Sequence, residues 1–290
     1  MSTDRRHPVI PFDASLIQDY LLGRDVSTVA LFPSGKSNSN YKLTLSTGEI
    51  CVLRLYNQNE DAAQGTTITN LVTDLLPVPH ALHHGDGWSV FTYLEGELLA
   101  TVPEHTEAAA EALAKLSTIT FPSPGFINAD GTVSPFPFAT KGFIETALED
   151  VIVQKWIGEE SAESMSQILR REAGRYAELW GDSRLVHGDF NPTNILIQAG
   201  AVSGVLDWEF SHAGTPYMDI GNLLRHTHPL YHPSIKAGLE AGGMTLPDDW
   251  QERAELVDIS SQFEFLTSGK SDAFKGQCVA RINGFIRNHM

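Results

Sequence analysis

The sequence predicts an α+β fold, with a small antiparallel sheet in the first third of the chain and a larger, mainly helical remainder. Alternating or continuous apolar runs of strand length recur between residues 26 and 93, and helical periodicity replaces them from Pro103 onward. At 290 residues the chain is long enough to divide its core between two lobes.

The elements follow in order. Residues 13–22 place Leu16, Ile17, Tyr20 and Leu21 on one helical face and stop at Gly23. Residues 26–32, 41–45 and 50–56 are strand patterns, the last two joined by the turn Ser46-Thr47-Gly48-Glu49. Residues 80–84 and 88–93 form a second hairpin across Gly85-Asp86-Gly87. The pattern then turns helical over residues 103–119. A proline-rich stretch, 121–138, reads as a loop bordering a substrate site, being too long for a plain connector. Residues 141–157, 162–180, 217–227, 233–241, 248–266 and 272–288 read as helices.

Composition narrows the function. Net charge is −16, from 36 acids and 20 bases, which argues against nucleic acid or an anionic membrane surface as partner. It suits a cationic or neutral small molecule. The two cysteines, Cys51 and Cys278, make no disulfide framework and no zinc spacing. His226, His228 and His232, interrupted by Pro229, read as a loop between helices, not a metal site. No leader and no membrane-spanning run is visible, so a cytoplasmic protein is expected.

The chemistry concentrates in residues 185–209, LVHGDFNPTNILIQAGAVSGVLDWE. Apolar runs of strand length flank two polar segments, so Asp189, Asn194 and Asp207 are delivered by loops and strand ends. Magnesium takes oxygen ligands, usually one or two carboxylates beside phosphate oxygens and water. Asp207 can supply the carboxylate and Asn194 an amide oxygen, while Asp189 can accept the proton of an attacking hydroxyl. His187 reads as a satisfied loop histidine, Glu209 as either a group supporting the metal ligands or a solvated acid, and Asp219 as an N-cap or early-helix acid.

An aspartate five residues before an asparagine, followed by a strand-borne aspartate, has the layout of a kinase catalytic loop and metal aspartate. His187-Gly188-Asp189 with Asn194, and Val205-Leu206-Asp207-Trp208-Glu209, resemble the aminoglycoside phosphotransferase-like family of small-molecule kinases. The resemblance covers nearly the whole chain. It implies a protein kinase-like two-lobe fold, with residues 1–94 as the nucleotide-binding lobe and 95–290 as the catalytic and substrate-binding lobe. Ser34, Gly35, Lys36, Ser37 and Asn38 then replace the glycine-rich phosphate loop, Arg54 contacts the nucleotide phosphates, and the backbone of Thr92, Tyr93 and Leu94 reads the adenine edge. Asp189 becomes the catalytic base, and Asn194 and Asp207 the magnesium ligands. The resemblance also implies that His187 braces the loop and that Asp219 is structural.

One departure stands out. The family holds its phosphate-binding cation with a helix acid upstream of a V-P-x-P-like segment, here Pro77-Val78-Pro79, but the corresponding positions are Thr66 and Thr67, with Glu60 and Asp61 further upstream. Either the helix begins elsewhere or another group holds Arg54. A rival phosphate loop, Ala30 through Gly35-Lys36-Ser37, requires a helix after it, and the period-two run that follows is a strand. The implied activity is transfer of the terminal phosphate of ATP or GTP, with magnesium, to a hydroxyl of a small molecule. The alternative is a kinase-fold module that binds nucleotide or ligand without turnover. Trp180, Trp208, Trp250 and Phe263 permit a cationic acceptor.

Overall fold

The structure, a computed structural model, describes residues 7–32, 38–57, 62–136 and 140–290. A short helical entry, a 3-10 turn at Ala14–Ile17 and α1 at Gln18–Leu21, is capped by the Asp13 carboxylate, which accepts from Ser15 N–H. Strands β1 (Val26–Leu31), β2 (Ser39–Leu45) and β3 (Ile50–Leu55) follow, then α2 (Ala62–Val72), β4 (Ala81–Gly85) and β5 (Trp88–Thr92). The five strands form one antiparallel sheet in the order β1-β2-β3-β5-β4. Because β2 pairs directly with β1, a strand and not a helix follows the 33–37 segment, and the rival phosphate loop is excluded.

Alternation along β3 sets the direction of its side chains. Cys51, Leu53 and Leu55 enter a core shared with Ile17, Tyr20, Leu43, Leu45 and Val90. Arg54, one step out of phase, therefore faces the opposite side of the sheet. α2 packs differently. Its Ile68 and Val72 join Leu99, Phe190, Ile195, Val205 and Trp208 in a second core.

The remainder is mostly helical. β6 (Glu97–Leu98) precedes α3 (Thr106–Leu116), and β7 (Gly125–Ile127) pairs with β8 (Val133–Pro135). The expected loop at 121–138 therefore contains a hairpin, held because β7 also pairs with β12 (His212–Gly214). Residues 141–157 are two helices, α4 (Thr140–Glu149) and α5 (Val151–Ile157), because the extended Asp150 caps α5 through Ile152 N–H. Residues 162–180 likewise divide at Glu172 into α6 (Glu159–Arg171) and α7 (Ala173–Gly181).

β9 (Arg184–Val186), β10 (Ile195–Gln198) and β11 (Ala201–Val205) carry the motif-bearing stretch. β12 and helices α8 (Tyr217–His226), α9 (His232–Ala241), α10 (Trp250–Thr267) and α11 (Asp272–His289) complete the fold. Trp208, Trp250 and Phe263, which the sequence left open to a cationic guest, are buried core residues. No helix among the described residues is long and apolar enough to cross a membrane.

α3 and α9 run in parallel, with Gly238 against Glu107 and Ala110 and Gly242 against Glu111 and Ala114. A Cβ at Gly238 would collide with the Glu107 carbonyl, whereas one at Gly276 of α11 meets nothing. Gly238→Ala is expected to destabilise by about 1–3 kcal/mol, through overpacking. Gly276→Ala is expected to stabilise by about 0.5–1 kcal/mol, through helix propensity. Urea midpoints of the two variants check this, and coincident midpoints contradict it.

Candidate active site

The site is built on the β10–β11 hairpin. Ile195 pairs with Val205, and Leu206 N–H donates to the Asn194 carbonyl at 2.8 Å, so the Asn194 and Asp207 segments leave the hairpin side by side. The hairpin is fastened at three further points. β6 pairs with β10, Val205 N–H reaches the Pro77 carbonyl at 2.9 Å, and Ala100 N–H reaches the Pro192 carbonyl at 3.0 Å.

The loop before β10 is held from below by Asp219. Its fully buried carboxylate accepts from His187 N–H at 2.6 Å and Gly188 N–H at 2.9 Å. Burial pushes its pKa up to about 7, although those N–H groups favour the charged form. It caps no helix. The expected structural role holds, but the carboxylate serves the loop and not the start of α8. Gly188 has φ +84, and a Cβ there would strike the Phe210 carbonyl.

His187 is the brace that was expected. Its Nδ1 accepts from Asp189 N–H at 3.2 Å, so Nε2 carries the proton and donates to the Leu206 carbonyl at 2.9 Å. The ring meets Phe190 and Trp208 edge-on and is fully buried. Burial lowers its pKa to about 4, leaving it neutral at pH 7.

Asp189 and Asn194 come together directly. Asn194 Nδ2 donates to Asp189 Oδ2 at 2.8 Å, and Asn191 Nδ2 donates to Asp189 Oδ1 at 2.8 Å. Burial raises the Asp189 pKa, the two amides oppose that, and the nearby Asp207 charge adds to it. Asp207, two residues beyond the end of β11, takes a left-handed conformation, φ 67 and ψ 63, a strain on the order of 1–3 kcal/mol for a residue with a Cβ. That turn separates the direction of its carboxylate from the strand's alternation.

Arg54 reaches this cluster from β3. Its Nη2 lies 3.2 Å from Asp207 Oδ1, and its Nε donates to Asn40 Oδ1 at 3.0 Å, Asn40 being its register partner on β2. The described part of α2 contains no acidic residue, and Thr67 donates instead to the Ala129 carbonyl in the β7–β8 turn. Ser34, Gly35, Lys36 and Ser37, with Glu60 and Asp61, lie outside the described residues. Asn38 is buried and accepts from Asn57 N–H at 3.3 Å.

Thr92 N–H is engaged by the His80 carbonyl at 2.9 Å, and Tyr93 and Leu94 follow the end of β5. Lys42 Nζ sits 4.0 Å from the centre of the Tyr93 ring. A cavity of about 460 Å³ just beyond β5 is lined by Tyr93, Glu95, Glu97, His105 and Gln198. None of its lining residues comes from the Asp189 loop. Glu209 is exposed. Of the three histidines expected in a loop, His226 ends α8, His228 caps a 3-10 turn through Leu230 N–H, and His232, at the start of α9, engages the Thr227 carbonyl.

Sequence reasoning missed Asn191 and Asn40 as partners. Asn191 stands two residues beyond Asp189 and its spacing was visible, whereas Asn40 requires the β2–β3 register.

The family model described as APH, phosphotransferase enzyme family, matches residues 28–256. The chain belongs to that phosphotransferase family. No curated protein sequence matches it significantly. Among solved structures, macrolide 2'-phosphotransferase MphH from Brachybacterium faecium is 16% identical with a TM-score of 0.69, over 94% of this chain and 98% of that one. A thermostable mutant of aminoglycoside phosphotransferase APH(4)-Ia, in a ternary complex with ADP and hygromycin B, is 17% identical with a TM-score of 0.67, over 94% and 97%. The GDP complex of aminoglycoside 2'-phosphotransferase-IIIa is 15% identical with a TM-score of 0.68, over 96% and 98%. At these identities the likeness establishes the phosphotransferase fold, an antiparallel-sheet N-terminal region joined to a helical C-terminal part.

The buried imidazole gives a pH test. Unfolded, His187 titrates near 6.5, and folded near 4. Its contribution to stability is complete above pH 6.5 and is lost as pH falls toward 4, by about 2 kcal/mol at pH 5. Asp219 acts in the opposite sense, because the folded state keeps a proton that the unfolded chain releases between pH 3.8 and about 7. The difference between wild type and His187→Gln isolates the histidine. Urea midpoints at pH 7 and pH 5 are expected to fall further in wild type than in the variant, and equal falls contradict the assignment.

Proposed function

We propose that the chain is a small-molecule kinase that transfers the terminal phosphate of ATP or GTP to a hydroxyl. The observation that carries this reading is the convergence of Asp189, Asn194, Asp207 and Arg54 on one cluster. Solved relatives that hold ADP with hygromycin B, or GDP, support a nucleotide and a small-molecule acceptor.

The residues fit a hard divalent cation. Among the described residues no three His, Cys, Asp or Glu side chains gather as metal ligands. A carboxylate and an amide oxygen, completed by phosphate and water, match what magnesium takes. Asp207 and Asn194 would hold it, the Asn194 oxygen being the amide atom turned from Asp189. Magnesium supplies charge neutralisation on the phosphate oxygens when bound.

The remaining steps belong to side chains. Arg54 exchanges Asp207 for a phosphate oxygen when nucleotide enters. Asp189 accepts a hydrogen bond from the acceptor hydroxyl and orients it in line with the terminal phosphorus. The new bond forms between acceptor oxygen and phosphorus as the bond to the bridging oxygen breaks. Its electron pair leaves with the nucleoside diphosphate, and the hydroxyl proton passes to Asp189. Tyr93 and Leu94 would supply backbone amides to the base, and the segment Ser34, Gly35, Lys36, Ser37 and Asn38 is assigned to the phosphates from its sequence.

In this reading residues 1–94 are the nucleotide lobe and 95–290 the catalytic lobe, working in the cytoplasm where nucleotide is available. The β7–β8 hairpin borders the acceptor. It is linked through β12 to β9, which leads into the Asp189 loop, and Phe136 packs edge-on to His212 at 5.4 Å. The exposed rings of Phe126 and Phe210, with a net charge of −16, suit a cationic or neutral acceptor with apolar surface.

Asp189→Asn is expected to keep nucleotide binding and lose turnover by about 10²–10⁴-fold, the usual worth of a positioned base. Asp207→Asn is expected to lose magnesium-dependent nucleotide binding as well. Thermal-shift titration with magnesium ATP, followed by ADP release across an acceptor panel, measures both. Normal turnover by the two variants contradicts the reading, and nucleotide stabilisation of wild type without any transfer favours the binding module.

A further inference from the structure

Asn191 makes more contacts with the Asp189 segment than a turn requires. Its side chain is buried. Oδ1 accepts from Thr193 N–H at 2.9 Å and from Thr193 Oγ1 at 2.6 Å. A backbone N–H can only donate, so the amide has one orientation and Nδ2 must face Asp189. Nδ2 then donates to Asp189 Oδ1 at 2.8 Å and approaches the Asp189 carbonyl at 3.2 Å. The main chain closes the same loop, with Asn191 N–H on the Asp189 carbonyl and Asn194 N–H on the Asn191 carbonyl, both at 2.9 Å.

The consequence concerns the carboxylate plane. One donor on a carboxylate leaves it free to rotate about its Cβ–Cγ bond. Two donors, one on each oxygen, fix the plane, and Asn194 already holds the other oxygen at 2.8 Å. With an amide on each side, the lone pairs left for an acceptor hydroxyl point in a defined direction. Positioning to a few tenths of an ångström is what such a reaction demands.

We propose that Asn191 is a positioning residue, which fixes the Asp189 carboxylate plane jointly with Asn194 while its own amide is locked by Thr193. The proposal rests on Asp189 being the group that orients the acceptor. It concerns Asn191 and Thr193, neither of which touches nucleotide or acceptor in this reading.

The test is a double-mutant cycle on the full chain. ADP release from magnesium ATP is measured for wild type, Asn191→Ala, Asp189→Asn and the double variant, with thermal midpoints and the nucleotide KM alongside. Asn191→Asp is the second single variant: it keeps the shape and the acceptor for Thr193, replaces the donor by an acceptor and sets a negative charge against Asp189 Oδ1. Both Asn191 variants are expected to lose kcat by about 10–100-fold with the nucleotide KM changed less than about threefold. On the Asp189→Asn background, Asn191→Ala is expected to cost almost nothing more, because the group it positions is already disabled. A purely structural role gives the same loss on both backgrounds and overturns the proposal, as does unchanged kcat in either single variant. Should Asp189→Asn itself retain full turnover, the functional reading fails first. Loss in Asp189→Asn beside normal Asn191 variants defeats only the present inference.

Discussion

The register of the β10–β11 hairpin is the constraint on which the site depends. With Ile195 opposite Val205, the Asn194 carbonyl meets Leu206 N–H and the Leu206 carbonyl meets the His187 ring. From His187 the connection passes to Asp189 N–H, from Asp189 to Asn194, and so back to the hairpin. This is a closed circuit of buried or half-buried polar groups, and a one-residue slip leaves several of them unpaired. Each unpaired group costs about 1–3 kcal/mol, so the circuit holds as a whole or not at all. Asp219 is its foundation, placed by α8 below the His187-Gly188 peptide.

Arg54 and Asp207 form a different kind of contact. Their side chains are 22% and 39% exposed, so the pair contributes on the order of 1 kcal/mol or less to stability. A weak pair is also easily exchanged. It joins the sheet to the hairpin without locking them, which suits a cation that must transfer to phosphate oxygens. Asn40 keeps the guanidinium on station from the neighbouring strand, so the hold on Arg54 comes from the sheet as well as from Asp207.

The parts that were readable in sequence are those whose partners are close along the chain. Asp189, Asn194 and Asp207 sit between apolar runs of strand length, and the pairing of such runs follows from their alternation. Asp219 was legible only as a helix acid, since its reach to His187 and Gly188 spans more than thirty residues. The β7–β8 hairpin was hidden because its strands are three residues each, and β7 is held by β12 far downstream at Gly125 and Ala213. The break at Asp150 is a local cap, its carboxylate accepting from Ile152 N–H, and the break at Glu172 carries neither glycine nor proline. Trp208, Trp250 and Phe263 look alike in sequence whether they face a guest or a core.

A structure of the protein with magnesium and a non-hydrolysable ATP analogue tests the central claim most directly. It should show one cation bonded to Asp207 and to the Asn194 oxygen, with Arg54 moved from Asp207 to the phosphates and Asp189 still flanked by Asn191 and Asn194. A nucleotide seated elsewhere, or a cation away from Asp207 with the Arg54 pair intact, would contradict the account.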